Sequence, residues 1–139
     1  MKTFEKITVR TKVSLPVNRV WELWTDPEHI VYWNSASKDW HTPKAENDLR
    51  EGGDFCYRME ARDGSMGFNY SGRYDAVIKN KRISYHLGDR RKVSVEFSSL
   101  GNETQIVEIF DAENSNPIAL QQEGWQEILN NFKAYSESL

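Results

Sequence analysis

From Asp54 to Phe110 the chain repeats one pattern: a short run in which alternate residues are apolar, then a turn. DFCYRMEA puts Phe55, Tyr57, Met59 and Ala61 on one face, and MGFNYSGRYDAVI puts Met66, Phe68, Tyr70, Gly72 and Tyr74 on one face. RISYHL follows with Ile83, Tyr85 and Leu87, and VSVEF with Val93, Val95 and Phe97. TQIVEIF closes the series with Thr104, Ile106, Glu108 and Phe110 on one side and Val107 and Ile109 on the other, so either Glu108 points inward or both faces are covered in part. A period of two marks strands with one buried face. The connections at Asp63-Gly64, Asn80 and Gly101-Asn102 are short, so the strands form an antiparallel meander. Such a sheet must have its apolar face covered by something else.

The flanking segments supply the cover. ITVRTKV, residues 7–13, alternates Ile7, Val9, Thr11 and Val13 with polar residues and predicts one more strand. Pro16 opens a helix whose apolar stripe is Val17, Val20, Trp21 and Trp24. Asp26 followed by Pro27 reads as an N-cap and a first-turn proline, restarting the chain as a second short helix to about Trp33. Residues 34–53 show no sustained period and read as irregular chain around one short strand at Trp40. A last helix runs from Pro117 to about Tyr135 with Ile118, Trp125, Ile128, Leu129 and Phe132 in its stripe. Gln121 and Gln122 stand where apolar groups are expected, and Gly124 lies mid-helix. Either the first turns run beyond the core, or the helix overlies a partly hydrated cavity that the amides line.

These elements predict an α+β fold: one curved antiparallel sheet wrapped round a long C-terminal helix, with two short helices after the first strand. One helix cannot fill the whole inner face, so a tapered apolar cavity is expected between them. Five Trp, six Tyr and six Phe in 139 residues would wall it with aromatic rings. Trp21 and Trp24 are expected in the core, and Trp33 with Asn34 at the cavity rim.

Several chemistries are disfavoured. A net charge of -3 argues against non-specific attraction to nucleic acid, and the basic runs Lys79-Lys81-Arg82 and Arg90-Arg91-Lys92 fall at opposite ends of the meander. Cys56 is alone and of outward parity; His29, His41 and His86 lack metal-site spacing. His29 is expected to face solvent, His86 to point away from the cavity, and His41 to lie near its mouth. Gly52-Gly53 lacks the Lys and Ser/Thr of a phosphate loop, and Asp48 and Arg50 read as a surface pair. No apolar run approaches the roughly 20 residues of a membrane span, and the N-terminus lacks a signal-peptide core, so a cytoplasmic protein is expected. No metal, cofactor or catalytic residue is called for.

VWELWTDPEHIVYWN (20–34), NDLREGGDF (47–55), GFNYSGRY (67–74), RISYHL (82–87) and GWQEILNNF (124–132) together cover much of the chain. In these segments it resembles the START-related, Bet v-allergen-like helix-grip superfamily, in the branch similar to the C-terminal domain of the activator of heat-shock protein 90 ATPase. The run from Trp33 to Gly53 is similar to a bacterial subgroup described as polyketide-cyclase-like or ATPase-activator-like. The resemblance implies a single helix-grip domain over residues 1–139. It implies three kinds of role: carriers of lipids or hormones, aromatase/cyclases, and chaperone-binding domains. The full chaperone activator of that branch carries a separate N-terminal domain, which is not expected within these 139 residues, so stimulation of a chaperone ATPase is not the leading expectation.

The leading expectation is a binding protein for a lipid-like or aromatic ligand. Its expected lining is Trp33, Phe55, Tyr57, Met59, Phe68, Tyr70, Tyr85, Phe97, Phe110, Trp125, Leu129 and Phe132, with Glu108 and Gln122 as polar anchors. The alternatives are a cyclase or dehydratase using Glu108 or His41 as acid or base, and a domain that meets a chaperone through its outer surface in a stress response. A monomer or a homodimer fits each.

Overall fold

Alternation becomes pairing in the computed structural model, which describes residues 4–139. The elements run β1 (Lys6–Val13), α1 (Val17–Thr25), α2 (Pro27–Trp33), β2 (Trp40–Asn47), β3 (Asp54–Ala61), β4 (Gly67–Ile78), β5 (Arg82–Leu87), β6 (Lys92–Leu100), β7 (Glu103–Asp111) and α3 (Ile118–Glu137). All seven strands join one antiparallel sheet of order β1-β7-β6-β5-β4-β3-β2. Sequence neighbours are spatial neighbours throughout the meander. Only β1 departs, returning to pair with β7 so that Val9 lies opposite Glu108. The expected α+β helix-grip arrangement is what the chain forms.

β2 is longer than the short strand expected around Trp40. Its register against β3 shifts between His41 and Lys44, where Pro43 cannot donate to the ladder, and this irregularity hides the strand's period. A second shift, between Tyr74 and Ala76, changes the inward parity of β4. Both bend the sheet around the helices.

The helix break after α1 follows from Asp26. Its backbone N–H donates to Glu22 O at 3.0 Å and ends α1, while its carboxylate accepts from Glu28 N at 2.9 Å and caps α2. Pro27 fits the first turn, where no donor is missed. Val20, Trp21 and Leu23 are buried, and Trp33 Nε1 donates to Leu23 O at 3.0 Å, which fixes the angle between the two helices.

α3 lies across the sheet and shields its β1 edge. Gln122 Nε2, Gln126 Nε2 and Lys133 Nζ donate to the carbonyls of Thr8, Arg10 and Lys12 at 3.3, 3.0 and 2.6 Å. Three alternate carbonyls of an edge strand are thereby satisfied by side chains of one helix, which blunts the edge against other chains. Leu129 and Phe132 are fully buried on the helix's inner side. Ile118 and Leu120 are exposed, so the first turn does run beyond the core.

Candidate functional site

The sheet's concave face and α3 enclose a cavity of about 180 Å³. Its floor is a row of rings on adjacent strands. Phe55 of β3 lies opposite Gly72 of β4, and its ring packs edge-on against Tyr85 of β5 at 4.7 Å between centroids. The glycine is required there: a Cβ would stand 3.0 Å from the Phe55 ring and 2.7 Å from His86 O. Tyr57, Tyr70 and Tyr74 extend the floor, Met59 and half-exposed Phe68 border the outer end, and Ile83 and Val95 fill the strands between.

Helices close the rest. Trp125 of α3 stacks on Phe110 at 3.8 Å and 10°, and meets Tyr70 edge-on at 6.3 Å. One turn later Ile128 also lines the space. At the other end Trp24, Trp33 and Phe132 form a three-ring cluster, each pair 4.8 to 4.9 Å apart. Trp24 and Trp33 show one side to the cavity, beside Thr25, Asn34 and Asn47.

The polar groups are few. Tyr70 and Tyr85 share a hydroxyl–hydroxyl bond of 2.8 Å. Tyr74 donates to Asn47 Oδ1, and Asn47 Nδ2 donates to Thr25 O at 2.7 Å. Burial pushes the Tyr57, Tyr70 and Tyr85 phenols far above the ordinary tyrosine range and Tyr74 to about 12. Glu108 reaches the cavity from β7, between Val9 and Val95, with 6 % of its surface exposed. No hydrogen bond to its carboxyl and no cation beside it is found among the described residues, and burial raises it from 4.5 to about 8. At neutral pH it is a carboxylic acid.

Nine of the fourteen expected lining residues meet in this space: Trp33, Phe55, Tyr57, Met59, Phe68, Tyr70, Tyr85, Glu108 and Trp125. The other five lie elsewhere. Phe97 is inward but sits under the helices, against Trp21 and Trp24. Phe110 is covered by the stacked Trp125 ring. Leu129 and Phe132 are buried within the packing that holds α3. Gln122 is exposed and bonds to Thr8 O, so it anchors β1 and no ligand group. Gln121 is buried outside the cavity: Oε1 accepts from Glu113 N at 2.9 Å and Nε2 donates to Asn116 O at 2.8 Å, pinning the loop before α3. Trp24, expected in the core, lines the cavity. Tyr74, Ile83 and Val95 could have been found from their inward parity; Thr25 and Asn47 carry no such signal.

The histidines stay outside. His41 Nε2 lies 3.9 Å from Glu60 Oε1 across β2 and β3, away from the cavity, and His86 pairs with Asp75 at 2.8 Å on the outer face. His29, expected to face solvent, lies 2.7 Å from the Tyr135 hydroxyl through Nδ1 and is partly buried. Arg50 and Asp48 form the expected exposed pair at 3.0 Å. Among the described residues, no helix is long and apolar enough to cross a membrane.

A seven-stranded sheet gripping a C-terminal helix over an aromatic cavity defines the helix-grip class. Within it, the chain belongs to the family described as "Activator of Hsp90 ATPase homolog 1-like protein", whose sequence model matches residues 14–137. Among solved structures it is similar to an AHSA1-like protein from Aeromonas hydrophila, at 44% identity over 96% of this chain and 93% of that one, with a TM-score of 0.90. A protein from Cytophaga hutchinsonii is 50% identical over 96% and 92% of the two chains, with a TM-score of 0.84. One from Nitrosomonas europaea shares the fold at 21% identity over 96% and 94%, with a TM-score of 0.81. A search of curated proteins found no match.

Proposed function

We propose that the protein is a carrier for a small, ring-containing hydrophobic molecule held between the sheet and α3. The partly open aromatic cavity with a single unpaired carboxyl is the observation that carries this reading. Shape and ring contacts supply most of the affinity in such a site, and the few polar groups set orientation. An engineered apolar cavity of about 150 Å³ admits benzene; at about 180 Å³ this one suits one substituted ring. The half-exposed Phe68, with Met59, gives the route in.

Glu108 also favours a second reading. A carboxyl held near 8 beside three phenols has the protonation state of a general acid, as a cyclase or dehydratase would need. Turnover separates the two. A chaperone-facing role would use the outer surface and be indifferent to the cavity.

Native mass spectrometry of gently purified protein, followed by displacement of a fluorescent apolar probe by one-ring compounds, tests the carrier reading. Displacement by such compounds that is weakened at least tenfold in Tyr70→Ala, with the fold intact by circular dichroism, is expected. Displacement equally strong in the variant, or none by any one-ring compound, overturns it.

A further inference from the structure

The cavity wall contains nine aromatic side chains and one carboxyl, and none of its lining residues is Lys, Arg or His. Glu108 is therefore a buried acid with no counter-charge among the cavity's residues. The titratable groups facing it are the phenols of Tyr57 on β3, Tyr70 on β4 and Tyr85 on β5. β1 and β6 place Val9 and Val95 on either side of it. The helices bring no charge to the cavity: α1 and α2 contribute Trp24, Thr25 and Trp33, and α3 contributes Trp125 and Ile128.

Those two features together select a ligand charge. Ring faces attract a cation through their quadrupole, by more when it is desolvated, and repel an anion. A buried carboxylate costs several kcal/mol unless paired, so the ligand that relieves it brings the missing positive charge. A carboxylate ligand would find no cation in the lining and would face the rings' negative quadrupole. A neutral ring would fill the space and leave Glu108 without a partner.

We propose that the ligand is a ring-bearing organic amine, bound as its ammonium ion with the nitrogen on the Glu108 carboxylate and the ring against Tyr70, Tyr85 and Trp125. This rests on the carrier reading and names its ligand class. Binding is an ion exchange: the ammonium enters, Glu108 gives its proton to solvent, and no covalent bond changes. Because Glu108 holds its proton up to about pH 8 in the empty cavity, affinity for an ammonium rises with pH, by roughly 50-fold between pH 6 and pH 8.

The test is calorimetric titration of the intact protein and Glu108→Gln with 2-phenylethylamine, 2-phenylethanol and phenylacetate at pH 7, in two buffers of different ionisation enthalpy. The amine is expected to bind at least tenfold tighter than the alcohol, and to release about 0.9 proton as it binds. Phenylacetate is expected to bind weakest. Glu108→Gln should lose both the preference for the amine over the alcohol and the proton release, with the fold intact by circular dichroism. Alcohol binding as tight as the amine, or amine binding without proton release, overturns this inference and leaves the carrier reading standing. Binding by none of the three overturns this inference, while the carrier reading falls only when no one-ring compound displaces the probe.

Discussion

Replacing Glu108 with glutamine should stabilise the protein, and by an amount that depends on pH in a fixed way. The folded carboxyl titrates at about 8 and an ordinary glutamate at 4.5. Below 4.5 both states hold the proton and the side chain is neutral to stability. Between 4.5 and 8 the unfolded chain ionises and the folded one does not, so the native state binds more protons and stability falls as pH rises, by about 1.4 kcal/mol per unit. The accumulated cost is about 3 kcal/mol at pH 7 and levels off near 5 kcal/mol above pH 8. Glutamine fills the same space and cannot ionise, so it removes this slope. Urea denaturation of both proteins at pH 4.5, 6, 7 and 8.5 measures it, and the difference between them cancels every other titrating group. A stability gain that grows from near zero at pH 4.5 to several kcal/mol at pH 8.5 is expected. A difference that stays flat across this range would refute the placement of Glu108 as an unpaired buried acid.

Three further substitutions probe the frame around the cavity. Gly72→Ala sets a methyl against the Phe55 ring and His86 O, so a loss of about 1–3 kcal/mol is expected in thermal denaturation, together with weaker ligand binding. Phe132→Ala removes the buried ring that joins Trp24 and Trp33, and should cost about 3–5 kcal/mol, measured by urea unfolding. Gln126→Ala frees the Arg10 carbonyl on the sheet edge at a cost of about 1 kcal/mol, and hydrogen exchange should quicken along β1 while β4 and β5 stay protected.

Much of this frame is legible in the sequence because a strand with one buried face writes its orientation in parity. Parity alone turns Phe55, Tyr57, Tyr70 and Tyr85 inward, and all four line the cavity. On β7 parity leaves the inner face open, because Val107 and Ile109 are apolar on the side opposite Glu108 and Phe110; the fold turns Glu108 inward. Parity does not record depth along the strand. Phe97 and Phe110 are inward too, yet one ends beneath α1 and the other beneath Trp125, because the helix packing decides where free space remains. Helical periodicity has the same limit. It finds the stripe containing Trp125, Leu129 and Phe132, but only Trp125 of these stands at the level of the cavity. Gln122 eluded the pattern for another reason: its partner, the Thr8 carbonyl, is a backbone group on the far end of the chain, and side-chain identity carries no sign of it. The β2 strand was obscured by Pro43 and the register shift there, which break the alternation that reveals the other strands.

The central claim is that a small ring occupies the space between β4, β5 and α3. Intermolecular nuclear Overhauser effects from the ring protons of 2-phenylethanol to the labelled protein test it most directly. Contacts to Ile83 and Val95 of the sheet together with Trp125 and Ile128 of α3, which line the cavity from its two sides, are predicted. Contacts confined to exposed groups such as Tyr32 and Leu120, or none at saturating alcohol, would contradict it.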